Sequence, residues 1–395
     1  MLTTARHCFP ALLLTCCAGV WAADNRTLAP GVHVAINPMD APAAENLERI
    51  RLPEGFRISL FSDQVPGARA MALSPSGTLF VGTRADRDFK PLSTVYAITD
   101  PDGDGRADEV ITIADDLRVP NGLAFRDGSL YVAELHRIIR YDNIEANLET
   151  PPEPVVIYEG FPAEFHHGWK YLRFGPDGRL YVSVGAPCNT CEPAAEQGII
   201  ASLNPDGSDL QTWARGIRNS VGFDWHPVTG ELWFTDNGRD LWGDDKPPEE
   251  LNRAPRPGMH FGFPYRYGSD LVDPDYPTQL PEDTFTPPAL ELPAHNAALG
   301  MRFYTGDQFP QDYRNQLFIA SHGSWNRKEP DGYSVFLVTL EDNKAVAYRE
   351  FASGWLTEDQ RFWGRPVDVE QGNDGALLIS DDFAGAIYRI SYQRR

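Results

Sequence analysis

Short apolar runs recur along the chain in pairs, each pair joined by a turn rich in Pro, Asp, Ser and Gly. The pairs occupy 71–81, 123–132, 172–182, 221–234 and 367–379, and a looser copy ends at Leu317-Phe318-Ile319. Alternation within each run gives a strand two unlike faces, one of which can pack on a neighbouring sheet. The second runs begin at Leu79, Leu130, Leu180, Leu232, Leu317 and Leu377, so the steps are 51, 50, 52, 85 and 60 residues. A hairpin repeat of about 50 residues is the signature of propeller blades. The pattern predicts an all-β chain, a six-bladed β-propeller spanning 51–395. A third strand follows in most copies, at 95–98, 138–141, 199–202, 335–338 and 387–390. No fourth strand follows the last copy. Arg57-Ile58-Ser59-Leu60-Phe61 precedes the first copy and can supply it, which would close the ring and remove an edge. The 85-residue step marks an insertion at about 238–298, rich in Asp, Glu, Pro and Tyr. Long loops on a rigid scaffold tend to carry function.

Composition agrees with a globular β protein: 42% of the 395 residues are hydrophobic, and Gly (34) and Pro (33) are plentiful. The formal charge of −21 argues against nucleic acid and anionic membranes as partners. Residues 1–22 read as a signal peptide. Arg6 begins it, 9–20 is mostly apolar but too short to span a bilayer, and Val20-Trp21-Ala22 offers a cleavage site. Lipidation at Cys16 or Cys17 is disfavoured by Thr15 before them. The expected mature protein is periplasmic or secreted, with 23–50 as an N-terminal extension and no membrane span. Cleavage would remove Cys8, Cys16 and Cys17 and leave Cys188 and Cys191. A C-x-x-C pair can be redox-active, zinc-binding or a plain disulfide. An oxidising compartment, and the want of a second C-x-x-C, favour the disulfide. The acidic stretch 100–108 resembles a calcium loop, but Ile111 stands where such a loop carries its bidentate Glu.

Against this acidic background, basic residues gather in the loops that enter or leave the inner strands. His166-His167-Gly168-Trp169-Lys170 precedes blade three, and Gly216-Ile217-Arg218-Asn219 precedes blade four. Asp236-Asn237-Gly238-Arg239-Asp240 follows blade four's second strand, and His295-Asn296 precedes blade five. His322-Gly323-Ser324-Trp325-Asn326-Arg327 follows blade five's second strand, and Gly364-Arg365-Pro366 precedes blade six. Equivalent positions on a ring share one face, so the predicted site is a donor-rich funnel for an anionic ligand.

These motifs in register with the blades resemble the soluble pyrroloquinoline-quinone (PQQ)-dependent sugar dehydrogenases over about 52–392. His167 followed by 172–178, and then Gly216-Ile217-Arg218-Asn219, carry the likeness. The His322–Arg327 motif is most similar to the sorbosone dehydrogenase-like branch. The resemblance implies PQQ and calcium as cofactors, a sugar or related aldehyde or alcohol as substrate, and an unidentified electron acceptor. It implies His167 as the base that takes the hydroxyl proton and Arg218 as the cation beside the reacting carbonyl. It implies Lys170, Arg218, Asn219, His295, His322, Arg327 and Arg365 as cofactor contacts, and the backbone carbonyls of Gly238 and Arg239 as calcium ligands. The sequence departs from the family pattern in three places. A family lysine near Gly323 is absent, with Arg327 or His322 in its stead. One arginine, Arg365, stands where two are usual, and Gly185-Ala186-Pro187-Cys188 replaces a Gly-Asp pair. Two other functions suit a six-bladed ring. A calcium-dependent lactone hydrolase would draw on Asn121, Asn219 and Asp236, and a binding propeller would carry no catalysis.

Overall fold

The computed structural model describes residues 37–39, 41–86 and 90–393. The expected signal peptide and the three cysteines within it lie outside the described residues. Six blades, each with four antiparallel strands and one of them with a fifth, follow one another in chain order. Blade one runs Ala68–Leu73, Leu79–Thr83, Val95–Thr99 and Glu109–Ala114, from the innermost strand outward. The other blades repeat that order, with innermost strands Gly122–Arg126, Leu172–Phe174, Phe223–Trp225, Ala298–Phe303 and Pro366–Gln371. The chain is a six-bladed β-propeller.

Blade six is completed from the other end of the chain. Phe56–Ser62 pairs antiparallel with Ala386–Tyr392, from Phe56 opposite Tyr392 to Ser62 opposite Ile387. Phe56 fixes that strand by touching four aromatic rings, Phe309, Tyr313, Phe351 and Tyr392, at centroid distances of 4.8–5.0 Å. The short helix Ala43–Asn46 before it lays Ala43 into the same apolar cluster.

The core is not central. It is divided into clusters between neighbouring blades. Ala72 and Phe80 of blade one meet Leu123 and Val132 of blade two. Tyr131 of blade two meets Leu172 and Val182 of blade three, and the pattern continues round to Leu378 and Ile387 of blade six against Met71 and Leu79 of blade one. Exposure rises outward as that arrangement requires. The second strands Leu79–Thr83, Leu180–Val184 and Leu317–Ser321 are buried throughout, whereas the outermost Val155–Glu159 has no buried residue. Turns of the Pro/Asp/Gly type close the inner hairpins. Gly178 has φ +81°, a left-handed conformation that glycine adopts without strain, and it follows Asp177, whose carboxylate accepts the Arg179 amide at 3.0 Å.

The long step is accounted for within 238–298. That stretch holds blade four's own third and fourth strands, Glu249–Ala254 and Leu290–Leu292. Between them lie a fifth strand of blade three, Met259–His260, and a small hairpin, Arg266–Tyr267 with Leu271–Val272. The acidic turn brings Asp100, Asp102 and Asp108 together, with the Asp100 carboxylate accepting the amides of Gly103 and Gly105 at 3.0 Å each. Among the described residues, no helix is long and apolar enough to cross a membrane.

Ring closure makes a measurable demand on one side chain. Phe56→Ala should lower stability by about 3–5 kcal/mol, since it empties a buried aromatic site at the seam of the ring. Denaturant unfolding of the purified protein reads this, and a loss below about 1 kcal/mol would show that the seam strand is dispensable.

Candidate active site

In every blade the start of the innermost strand lies beside the end of the second strand, as in Ala68 opposite Thr83 or Gly122 opposite Ala133. Residues just before the one and just after the other therefore share one end of the ring. The residues immediately after the second strands are Arg84, Glu134, Gly185, Asn237, His322 and Asp382. Those leading into the innermost strands include Asn121, Lys170, Arg218, Asn219, His295, Asn296 and Arg365.

His167 is buried, and its Nδ1 lies 2.9 Å from the Ala186 carbonyl oxygen. A carbonyl can only accept, so Nδ1 carries the proton and Nε2 keeps its lone pair in the neutral ring. The residue sits at φ +49°, a strained conformation for any side chain with a Cβ. Gly185 permits the close approach: a Cβ there would lie 2.6 Å from both the Cβ and the carbonyl oxygen of His167. Burial lowers the His167 pKa well below its ordinary value, and the Arg218, His166 and Arg84 charges add to the effect. The His166 ring is 4.0 Å away, and Trp169 meets His167 edge-on at 6.0 Å. His167 is thus a neutral imidazole at ordinary pH, oriented to accept a proton at Nε2.

Arg218 is almost fully enclosed and donates five hydrogen bonds. Its amide donates to Asp236 Oδ2 (2.9 Å), Nη1 to the Asn237 carbonyl (3.2 Å) and Nη2 to Asp240 Oδ2 (2.6 Å). Nε and Nη2 grip the carbonyl and side-chain oxygens of Asn189 at 2.9 and 2.8 Å. Asn219 donates its amide to Asp236 Oδ1 (2.7 Å) and faces Asn237 Oδ1 at 3.4 Å. The Asn326 side chain reaches both Asp240 Oδ1 (3.5 Å) and His295 Nδ1 (3.4 Å), joining blade five to this group. His295 is anchored through Nε2 to the carbonyls of Gly243 and Lys246. The Gly238 amide donates to Glu249 Oε2 at 2.9 Å, and Arg239 pairs with Asp273 at 2.6 Å. The carbonyl oxygens of Gly238 and Arg239 accept no hydrogen bond among the described residues, so both are available to a hard cation.

A second group of cations spans blades five, six and one. His322 Nε2 donates to Asp382 Oδ1 at 2.8 Å, and Arg69 Nη1 lies 3.0 Å from Asp382 Oδ2. Burial and the Arg365 charge push the His322 pKa down to about 3, so the ring is neutral and the Arg69–Asp382 pair carries the charge. Arg365 donates to the carbonyls of His322 (3.1 Å) and Gly323 (2.8 Å), with its guanidinium 5.6 Å from the Tyr333 and Phe362 rings. Arg84 is stacked on Trp169 at 3.8 Å, and burial lowers its pKa to about 9. Arg69 and Arg84 are the cations that the blade motifs did not single out. Arg84 follows blade one's second strand as His322 follows blade five's, and that equivalence was the available signal for it; Arg69 lies within the innermost strand Ala68–Leu73. Lys170 turns inward and donates to the Gly168 carbonyl at 2.5 Å, its pKa lowered to about 7 by burial. Arg327 lies toward the rim, donating to the carbonyls of Asp244 and Ala294 and pairing with Asp245 at 3.4 Å.

Several buried polar atoms have no protein partner. They include both side-chain atoms of Asn296, Asn326 Oδ1, Arg84 Nε, His166 Nε2 and Trp169 Nε1. Buried groups of this kind are costly unless something hydrogen-bonds them. Donors, amides and cations at one end of the ring have the chemistry that a polar, anionic ligand would use.

The model of a domain of unknown function, DUF7133, matches residues 42–390. The chain belongs to that family. Its relative in Borreliella burgdorferi, an uncharacterized protein, is 32% identical over 374 residues, covering 91% of this chain and 95% of the relative. A PQQ-dependent pyranose dehydrogenase of Coprinopsis cinerea is 45% identical over 124 residues, which is 26% of this chain and 16% of that protein. Among solved structures, the PQQ domain of the C. cinerea pyranose dehydrogenase in its holo form has a TM-score of 0.74 at 19% identity, covering 90% of this chain and all (100%) of that one. The calcium structure of a Trichoderma reesei carbohydrate-active enzyme of family AA12 gives 0.75 at 19% identity, covering 90% and 99%. The apo soluble aldose sugar dehydrogenase of Escherichia coli gives 0.65 at 18% identity, covering 86% and 100%. These likenesses establish the propeller that the DUF7133 chain shares with sugar dehydrogenases.

The charge arrangement around His167 sets a titration order. Replacing Arg218 by Gln removes the cation with the largest effect on His167 and should raise the His167 pKa toward its ordinary value; Arg84→Gln should raise it less. Because the neutral ring is the base, any activity that uses it should fade as pH drops through that pKa, beginning at higher pH in the variants. Histidine NMR titration of the three proteins checks this, and an unmoved His167 resonance in Arg218→Gln would refute the assignment.

Proposed function

We propose that the protein is a quinoprotein dehydrogenase that oxidises a sugar or related aldehyde or alcohol. The observation that carries the reading is the neutral, Nε2-open His167 beside the immobilised Arg218. Bound PQQ would supply the hydride acceptor, polarised by a calcium ion on the carbonyls of Gly238 and Arg239. Within the chain, His167 takes the substrate hydroxyl proton at Nε2 as hydride leaves the carbon. Arg218 presents fixed positive charge where negative charge grows, and its hydrogen bonds spare it any reorganisation during reaction. Arg365, Arg84 and Arg69 supply the cationic wall for cofactor carboxylates, with Asn219, Asn296, Asn326 and His295 as neutral contacts and His322 anchoring Asp382 behind them. Lys170 supports the His167 loop from beneath, and Arg327 lines the rim. The likeness of the His322–Arg327 motif supports the sorbosone dehydrogenase-like branch. Its signal peptide would deliver it to the periplasm or beyond, where an unidentified acceptor would reoxidise the quinone.

The lactone-hydrolase reading asks Asn121, Asn219 and Asp236 to converge on one ion. The oxygens of two of the three are otherwise engaged: Asn121 Oδ1 accepts Arg69 Nε at 2.9 Å, and both Asp236 oxygens accept backbone amides.

The test adds PQQ and calcium to apoprotein and follows quinone absorbance, then dye reduction with a panel of aldoses. Saturable binding and turnover are expected. His167→Gln should keep quinone binding and lose about 10²–10⁴-fold in kcat. An absorbance titration with no binding overturns the reading, and lactone turnover without quinone would replace it with the hydrolase.

A further inference from the structure

The loop that departs most from the sugar dehydrogenase pattern lies against both proposed reacting groups. Cys188 and Cys191 are joined by a disulfide, which closes a loop holding Asn189 and Thr190. Asn189 offers its backbone oxygen to Arg218 Nε and its side-chain oxygen to Arg218 Nη2, at 2.9 and 2.8 Å. This two-point contact matches the planar fork of a guanidinium. The same side-chain oxygen accepts the Asp240 amide at 2.7 Å, and Asn189 Nδ2 donates back to the Asp240 carbonyl at 3.1 Å. One asparagine therefore ties Arg218 to the 237–240 segment. The residues just before it complete the arrangement. The Ala186 amide donates to the Arg218 carbonyl at 2.8 Å, while the Ala186 carbonyl takes the His167 Nδ1 proton.

No regular strand or helix supports 186–191, so side contacts and the cross-link must hold it. Cys188 packs on the cluster of Ala186, Phe263 and Tyr267, the last two from the blade-four insertion, and Tyr276 donates its hydroxyl to the Thr190 carbonyl at 2.9 Å. A free loop would sample many backbone states, and the disulfide removes most of them.

We propose that Asn189 is a positioning residue for Arg218, and that the Cys188–Cys191 disulfide exists to hold it there. The kinetic part rests on the dehydrogenase reading; the positional part does not. Asn189 orients the guanidinium rather than touching substrate, so its loss should act on Arg218's order before it acts on the fold.

The experiment compares full-length wild type, Asn189→Ala, Asn189→Asp and the Cys188→Ser/Cys191→Ser double variant by hydrogen exchange without cofactor. In Asn189→Ala and the double variant, peptides covering 216–220 and 237–240 should exchange about tenfold faster, with blades one, two and six unchanged. Asn189→Asp keeps the oxygen that accepts Arg218 Nη2 but loses the Nδ2 donor to Asp240, so it should retain wild-type protection at 216–220 and lose some at 237–240. With PQQ and calcium, kcat in the first two variants should fall about 10–100-fold while KM stays within about threefold. Wild-type protection around Arg218 in both Asn189→Ala and the double variant overturns the proposal, even if the protein is a working dehydrogenase. Uniformly faster exchange across all blades also overturns it, because the loop would then be merely structural. If wild type fails to bind quinone, the dehydrogenase reading falls and the exchange result alone decides the role of Asn189.

Discussion

The seam between blades six and one is the constraint on which the molecule depends. A propeller has no central core, only the clusters between blades, so each blade is stable only while both neighbours are in place. The last interface forms when Phe56–Ser62 pairs with Ala386–Tyr392 and the Leu378 and Ile387 side chains meet Met71 and Leu79. Polar bonds sew the same boundary: the Val65 amide donates to the Gly385 carbonyl at 3.0 Å, and the Met71 amide to Asp368 Oδ2 at 2.9 Å. Without that seam, Arg69 and Arg84 on blade one would not stand beside Arg365 and Asp382 on blade six. The cationic half of the site is therefore a product of ring closure.

Closure also packs like charges together, and the molecule manages them with counter-charges and neutral rings. Farther along the innermost strands, Arg173 pairs with Asp224 (3.4 Å) and Glu370 (3.5 Å), and Arg302 with the same two carboxylates. Buried pairs of this kind add little net stability but fix the register of the elements that carry them. These tie together the inner strands of blades three to six. At the funnel end the balance differs. Arg69 and Arg218 have carboxylate partners, whereas Arg84 has an indole face and an unpaired Nε. Burial first, and the neighbouring arginine charges after it, push the His167 and His322 pKa values down.

The ring was legible in the sequence because it is periodic. Leu79, Leu180, Leu232, Leu317 and Leu377 open second strands, Leu130 is the second residue of Ser129–Ala133, and the N-terminal run 57–61 falls within the strand that completes blade six. The cationic loops were legible for the same reason, since blade register converts distance along the chain into a shared face. What escaped has a common physical cause. Arg69 sits inside an apolar strand and Arg84 just after one, where a lone arginine looks like any surface charge. Asn189 reads as a turn residue between cysteines, and only the three-dimensional path of the loop shows what its oxygens hold. The insertion hid two regular strands because Glu249–Ala254 is polar, its carboxylates turned to backbone amides instead of an apolar neighbour.

The departures from the sugar dehydrogenase pattern are connected. A site for an anion needs a certain positive charge near the ligand, but the charge need not come from one loop. Here one arginine precedes blade six, and blade one contributes Arg69 and Arg84 across the seam. A site that polarises a carbonyl also needs its arginine held still, because a mobile cation must reorganise as charge develops. Arg218 gains that rigidity from the stretch 185–191, where Gly185 admits His167, Ala186 binds both His167 and Arg218, and Asn189 fills the guanidinium fork. The stretch Gly185-Ala186-Pro187-Cys188 leads into the Cys188–Cys191 cross-link, whose loop presents backbone and side-chain amide oxygens to the guanidinium. Such oxygens orient an arginine without cancelling its charge, so among buried cations they add order beyond what the Asp240 carboxylate supplies.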